Sequence, residues 1–341
     1  MVDKRLSKNQ KQVLKEEDIR PQRIFDEYLR LAELDSSKYF SSGIREAVSC
    51  PACGTVGTLS FTKHTFKYSE CLVCQTLFVS QRPPATAFSR FYQEAESVKF
   101  WASTFYKETA EARREKLWQP KAQMIRDIAN QYTTGLHDVV DIGGGYGIFA
   151  EEYEKISGKK VIVIEPGPSL AQVCRDKGLF VVQNFLENVD EGQLGANPKV
   201  FVSFELFEHL HDPHKFLSHL LKLMDCGDLF IFTTLSGVGL DIQALWENSK
   251  SVSPPHHLNF INPKAARILL ERVGFTALEV RTPGKLDIDI LCKEPALIKD
   301  RFWRTFAAQA TDQDKHSMQI YLADNGLSSH MLAVAQKPKK K

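Results

Sequence analysis

At 341 residues the chain exceeds one minimal domain and suits a domain of about 200 residues with an accessory unit. Its 43% hydrophobic and 25% charged residues are those of a globular protein, which excludes disorder except locally. Lys and Arg number 44 against 42 Asp and Glu, but nine bases sit in residues 1–15 and at Lys337, Lys339, Lys340 and Lys341. The remaining body is mildly acidic and lacks the basic excess that phosphate binding favours, so a nucleic-acid partner is not expected.

The N-terminus, MVDKRLSKNQKQ, carries charge with no apolar stretch behind it, and no run of about 18 apolar residues follows anywhere. A cytoplasmic protein without a membrane span is expected. Residues 16–35 place Ile24, Tyr28, Leu31 and Leu34 at helical spacing, which predicts an amphipathic helix.

Next come two cysteine pairs, Cys50 and Cys53 in C-P-A-C-G, then Cys71 and Cys74 in C-L-V-C, with seventeen residues between Cys53 and Cys71. Each C-x-x-C turn aims two thiolates at one tetrahedral centre, the pattern of a zinc ribbon. Four thiolates fill the coordination sphere, so the ion is expected to be structural. Paired disulfides are disfavoured in a reducing compartment, and a redox C-x-x-C wants a strand-to-helix setting. From Pro84 to Asn130, Phe88, Phe91, Phe105, Trp118 and Ile125 recur among charges without alternation, which predicts helices broken near Pro120.

At Asp138 a short apolar strand, ending Asp141-Ile142, runs into Gly143-Gly144-Gly145-Tyr146-Gly147 and then a helical stretch. Glycines there let the backbone turn sharply and approach a ligand, while the helix N-terminus offers unpaired N–H groups. A second strand, Val161–Ile164, ends at Glu165, 24 residues beyond Asp141, where an acid can accept both ribose hydroxyls of an adenosine cofactor. The dinucleotide fingerprint is G-x-G-x-x-G; here D-x-G-x-G-x-G puts Asp141 just before the turn, where a pyrophosphate would be repelled and a cationic cofactor attracted.

These residues resemble motifs I and II of class I S-adenosylmethionine-dependent methyltransferases, and the later segments VVQNFLENV, FVSFELFEHLHDPHKFLSHL and GDLFIFTTL fall in that family's order, over residues 137–282. The resemblance implies a Rossmann-like, doubly wound, mostly parallel α/β sheet. It also implies that Gly143, Gly145 and Tyr146 line the methionine end, Glu165 and Pro166 the ribose, Asn184 and Phe185 the adenine, and Glu205 the amino-group side. Phe185 and Phe204 read equally well as core. A further segment, SPPHHLNFINPKAARILLERVGF, resembles the P-x-H-x-x-F region of sugar and related small-molecule methyltransferases, some of which carry an N-terminal four-cysteine zinc module. Unlike the larger deoxysugar C-methyltransferases, this chain has only about 60 residues after Arg281.

The expected organisation is therefore a basic tail and helix over 1–48, a zinc module over 49–82, a helical connector over 83–136, and an S-adenosylmethionine-binding domain over 137–341 with a late insertion at 283–330. A sugar hydroxyl or carbon acid needs a proton removed, and His256 and His257, beyond the fifth strand, are the expected bases, with helix capping or a hydrogen bond to a buried carbonyl as the competing role of His257. His209, His211, His214 and His219 read as structural or exposed. The favoured acceptor is a sugar or nucleotide-linked glycan precursor. The competing readings are an RNA or protein methyltransferase that grips its polymer through Lys63, His64, Lys67, Arg82, Phe61, Phe66 and Tyr68, and a silent binding protein on the same fold. Nothing in the chain specifies an oligomeric state.

Overall fold

The computed structural model of the chain describes residues 14–133 and 137–339; the basic tail through residue 13 and the closing Lys340 and Lys341 lie outside the described residues. In chain order the strands are β1 Glu46–Ala47, β2 Thr58–Lys63, β3 Phe66–Glu70, β4 Leu77–Val79, β5 Gln81–Arg82, β6 Asp138–Ile142, β7 Val161–Ile164, β8 Phe180–Val182, β9 Lys199–Phe204, β10 Leu229–Leu235, β11 Asn259–Phe260, β12 Thr276–Arg281 and β13 His330–Gln336.

The continuous apolar runs of β9 and β10 are buried at every residue, as strands covered on both faces must be. They occupy the middle of a seven-stranded sheet of order β12-β13-β10-β9-β6-β7-β8, parallel from β10 through β8, with β13 antiparallel to both β10 and β12. One face packs Phe201, Phe230 and Ile142 against the helices Pro213–Leu223 and Pro263–Val273. The other packs Val139, Val161 and Val202 against Gln119–Tyr132 and Ile148–Ser157. Local chemistry fixes several helix starts: Asp212 and Asn262 accept the Lys215 and Ala265 amides, and a proline follows each cap.

The amphipathic N-terminal segment is two helices, Glu16–Ile19 and Gln22–Phe40, interrupted at Pro21. The expected break near Pro120 is absent: residues 106–132 are helical throughout, and a π-helical turn, Arg114–Trp118, precedes Pro120 and takes the chain past it. The late insertion is helical, at Asp287–Lys293, Arg301–Gln309 and Asp312–Asp324.

The cysteine segment does not stand apart from the sheet domain. Its strands β2, β3 and β4 are joined by β11, from the P-P-H-H-L-N-F segment, in one sheet of order β11-β4-β3-β2. Buried Arg82 donates to the Val79 and Leu258 carbonyls and to Asn259 Oδ1 at 2.6 Å, and Asn262 Nδ2 donates to the Cys74 carbonyl at 2.6 Å. Among the described residues no helix is long and apolar enough to cross a membrane.

Candidate active site

β6 delivers Asp141 to the carboxyl edge of the sheet, and the glycine turn follows. A Cβ on Gly144 would stand 2.6 Å from Val163 Cγ1 and 3.0 Å from Asp141 Oδ2, so only glycine fits between the strand and its acid. Gly147, at φ +71°, starts the helix with a Cβ position 2.7 Å from Leu179. Glu165 locks the turn: Oε2 accepts from Gly145 N at 2.9 Å and Oε1 from Gly167 N at 2.8 Å. Asp141 is 1% exposed, and its Oδ2 has no partner among the described residues. Burial, then the charge of Glu165, push the Asp141 carboxyl up to about 7, and burial pushes Glu165 up to about 6. A buried acid left without a donor is a site at which a cation would be stabilised.

Asp141, Gly143 and Tyr146 line one cleft with Phe204, Tyr106 and Trp118. The last two come from the expected connector, which forms a wall of the site. Tyr106 stacks on Tyr146 with ring centroids 5.6 Å apart and planes 7° apart. Sequence reasoning missed them; the only signal was their place in an aromatic-rich helical stretch.

Of the remaining expected cofactor residues, Phe185 is 51% exposed and so is not core, while Phe204 is buried. The Asn184 side chain is spent on its own turn, accepting from Phe185 N and donating to the Asn188 carbonyl. Pro166 follows Glu165 in the loop after β7. Glu205, at φ +50° beyond β9, takes three contacts on one oxygen, Oε1: Thr233 Oγ1 at 2.7 Å, His330 Nε2 at 2.9 Å and Lys121 Nζ at 3.6 Å. His330 and Lys121 hold its carboxyl well below the usual range despite burial.

The two expected bases are in different surroundings. His256 is 4% exposed, sits among Tyr28, Phe91 and Tyr92, and places Nε2 3.1 Å from Ser97 Oγ. His256 thus sits in a packed, hydrogen-bonded setting, and the carbonyl hydrogen bond that competes with a base role for His257 is one that His257 makes. His257, part-buried, donates from Nδ1 to the Ser251 carbonyl at 2.6 Å, so its lone pair is on Nε2. Burial, then the neighbouring His209, push its pKa down to about 3. His209, expected to be structural or exposed, is half-buried and faces His257 with ring centroids 4.8 Å apart. Beside it Glu208 is 2% exposed, accepts from Thr234 Oγ1 at 2.7 Å, and is pushed up to about 8 by burial and Glu205.

The cysteines converge as their spacing requires. Sγ of Cys50 lies 3.4 Å from Cys74 and Sγ of Cys53 3.3 Å from Cys71, and all four sulfurs lie within 4.8 Å of one another. Two turns with positive φ at Gly54 and Gln75 aim them inward.

The strand order, the glycine turn and the acid pair define the class as an S-adenosylmethionine-binding α/β methyltransferase. A family model described as a methyltransferase domain matches residues 85–280, beginning inside the connector, and the chain belongs to that family. It is an S-adenosylmethionine-dependent methyltransferase. No curated protein matches the chain. Among solved structures it is similar to a SAM-dependent methyltransferase from Archaeoglobus fulgidus (17% identity, TM-score 0.45, 68% of this chain and 100% of that one). It is also similar to geranyl diphosphate C-methyltransferase from Streptomyces coelicolor A3(2) (12%, 0.45, 68% and 84%) and to the plantazolicin methyltransferase BpumL (10%, 0.47, 74% and 94%).

Proposed function

We propose that this methyltransferase acts on a small molecule, a sugar or nucleotide-linked glycan precursor, in a reducing, cytoplasmic compartment. The observation that carries the small-acceptor reading is the fate of the basic and aromatic side chains a polymer would need. Arg82 is buried against backbone carbonyls, Lys63 Nζ donates to the Ser249 carbonyl at 3.0 Å, Phe66 and Tyr68 are in the core, and Phe61 is packed between Tyr68 and Trp246. These groups hold the cysteine module to the catalytic domain, which leaves little of them to stack bases or neutralise phosphates.

In this reading Asp141 meets the cofactor's positive charge, Gly143, Gly145 and Tyr146 take its methionine end, Glu165 and Pro166 the ribose, Phe185 the adenine, and Glu205 lies toward the amino group. S-adenosylmethionine supplies an activated methyl group, and the protein's contribution is placement: Tyr106 and Trp118 wall the cleft while His257 serves deprotonation of the acceptor through Nε2. Burial and His209 keep the imidazole neutral, so Nε2 can accept the acceptor's proton and pass it on to solvent. Cys50, Cys53, Cys71 and Cys74 hold one structural zinc ion, whose charge stabilises them as thiolates.

The test is methyl transfer from labelled S-adenosylmethionine to a panel of nucleotide sugars and glycan precursors, run beside total RNA and denatured protein. Label in a small acceptor is the expected result. Label entering only RNA or protein would replace this reading with the polymer one, and cofactor binding with no transfer to any of them would favour the silent scaffold.

A further inference from the structure

We propose that Glu208, His209 and His257 form a second metal site, distinct from the four cysteines, which binds one divalent transition-metal ion and through it the acceptor oxygen. The proposal rests on the reading of the adjoining cleft as the cofactor site. A carboxylate oxygen of Glu208 and one nitrogen each of His209 and His257 lie within 4.8 Å of one another, close enough to share an ion. Two residues come from the turn just beyond β9 and the third from the segment before β11, and the Leu258 amide donates to the Glu208 carbonyl at 2.7 Å, which clamps the two segments together.

Two of the donors are also oriented from behind, as metal ligands commonly are. Thr234 Oγ1 holds Glu208 Oε2, and the Ser251 carbonyl holds His257 Nδ1. His257 is thereby fixed in the tautomer that leaves Nε2 to bind a metal.

Two imidazoles and a carboxylate suit Zn2+, Mn2+, Co2+ or Fe2+, and three protein ligands leave positions for an acceptor hydroxyl. Coordination acidifies that hydroxyl. Its proton passes to solvent, an oxygen electron pair forms the O–CH3 bond, and the CH3–S bond breaks with its pair returning to sulfur, turning the sulfonium into a thioether. His257 then acts as a ligand that places and acidifies the acceptor.

Mn2+ distinguishes the two sites because it prefers nitrogen and oxygen donors to thiolates. The full-length protein, its zinc content first measured, is titrated with Mn2+ and free Mn2+ is followed by electron paramagnetic resonance, with S-adenosylmethionine binding measured in parallel by calorimetry. Wild type should bind one Mn2+ per chain. Glu208→Gln and His257→Asn should weaken it by more than about 10-fold, and His257→Asp, which keeps a ligand, should retain more than His257→Asn. Zinc content and cofactor affinity should be unchanged in all. If Glu208→Gln fails to fold, the two His257 variants decide the matter. Wild type binding cofactor but no Mn2+, Co2+ or second Zn2+, or variants binding Mn2+ as wild type does, would overturn the metal site alone. Loss of cofactor binding in wild type would instead overturn the reading of the cleft.

Discussion

In the proposed cofactor site, Asp141 would couple S-adenosylmethionine binding to pH. Its carboxyl, raised to about 7 in the free protein, must ionise to face a cation, so S-adenosylmethionine affinity should rise as pH increases from 6 to 8, by up to about tenfold per unit below the pKa. Asp141→Asn should weaken binding by about 1.5–3 kcal/mol at pH 8 and flatten that dependence, as calorimetry at several pH values would register. His257 is tested by turnover. His257→Asn should lower kcat by about 10²–10⁴-fold while the S-adenosylmethionine Kd stays within a few-fold, and a variant keeping near-full turnover would send the search for the acceptor's partner elsewhere. The spacing of Asp141 and Glu165 from the glycine turn was readable in the chain because all three lie in one strand-turn-helix unit and the strand beside it. Tyr106 and Trp118 were not, since aromatic residues in a helical stretch carry the same pattern whether they face a core or a ligand.

The cysteine module and the histidine segment are one structural element. β4 pairs with β11, Tyr68 Oη donates to the His257 carbonyl at 2.7 Å, and the Val79 amide donates to the Leu258 carbonyl at 2.9 Å. Spacing alone marks out residues 49–82 as a zinc module; the shared sheet ties that module to the histidine segment. Cys71→Ser should lose zinc and, by loosening β3 and β4, lower kcat/KM for the acceptor, with cofactor affinity nearly unchanged because the glycine turn is held by Glu165. Elemental analysis together with separate acceptor and cofactor titrations would check it; an equal loss for both ligands would point to general unfolding.

At the scale of the whole molecule, the insertion closes onto the sheet domain through Leu240, Leu245, Ile288, Leu291 and Leu322, with two acids enclosed beside them. Asp287 accepts from Ser328 Oγ, the Ser329 amide and Gln319 Nε2, while burial and Asp287 push Asp241 up to about 8. The folded state thus keeps a proton that the unfolded chain releases near pH 4, and the stability this contributes is full below that pH and lost as pH rises to about 8. Asp241→Asn should therefore raise Tm at pH 8 and reduce its fall between pH 5 and 8, in melts recorded across that range.

What the sequence by itself determined is local: the apolar runs that become central strands, the acid-glycine-acid order that brings Asp141, the glycine turn and Glu165 together, and the cysteine spacing that brings four sulfurs together. Those signals survive in one dimension because their contacts span a turn, a strand or one strand-helix-strand unit. Only the tertiary structure decided that β11, two residues with no periodicity to announce them, joins the cysteine sheet, that the connector walls the cleft, and that Glu208 and His209 meet a histidine almost fifty positions away. Contacts at such separations depend on which strand ends share an edge of the sheet, and that is set by packing and pairing across the molecule, which the spacing of residues along the chain does not encode.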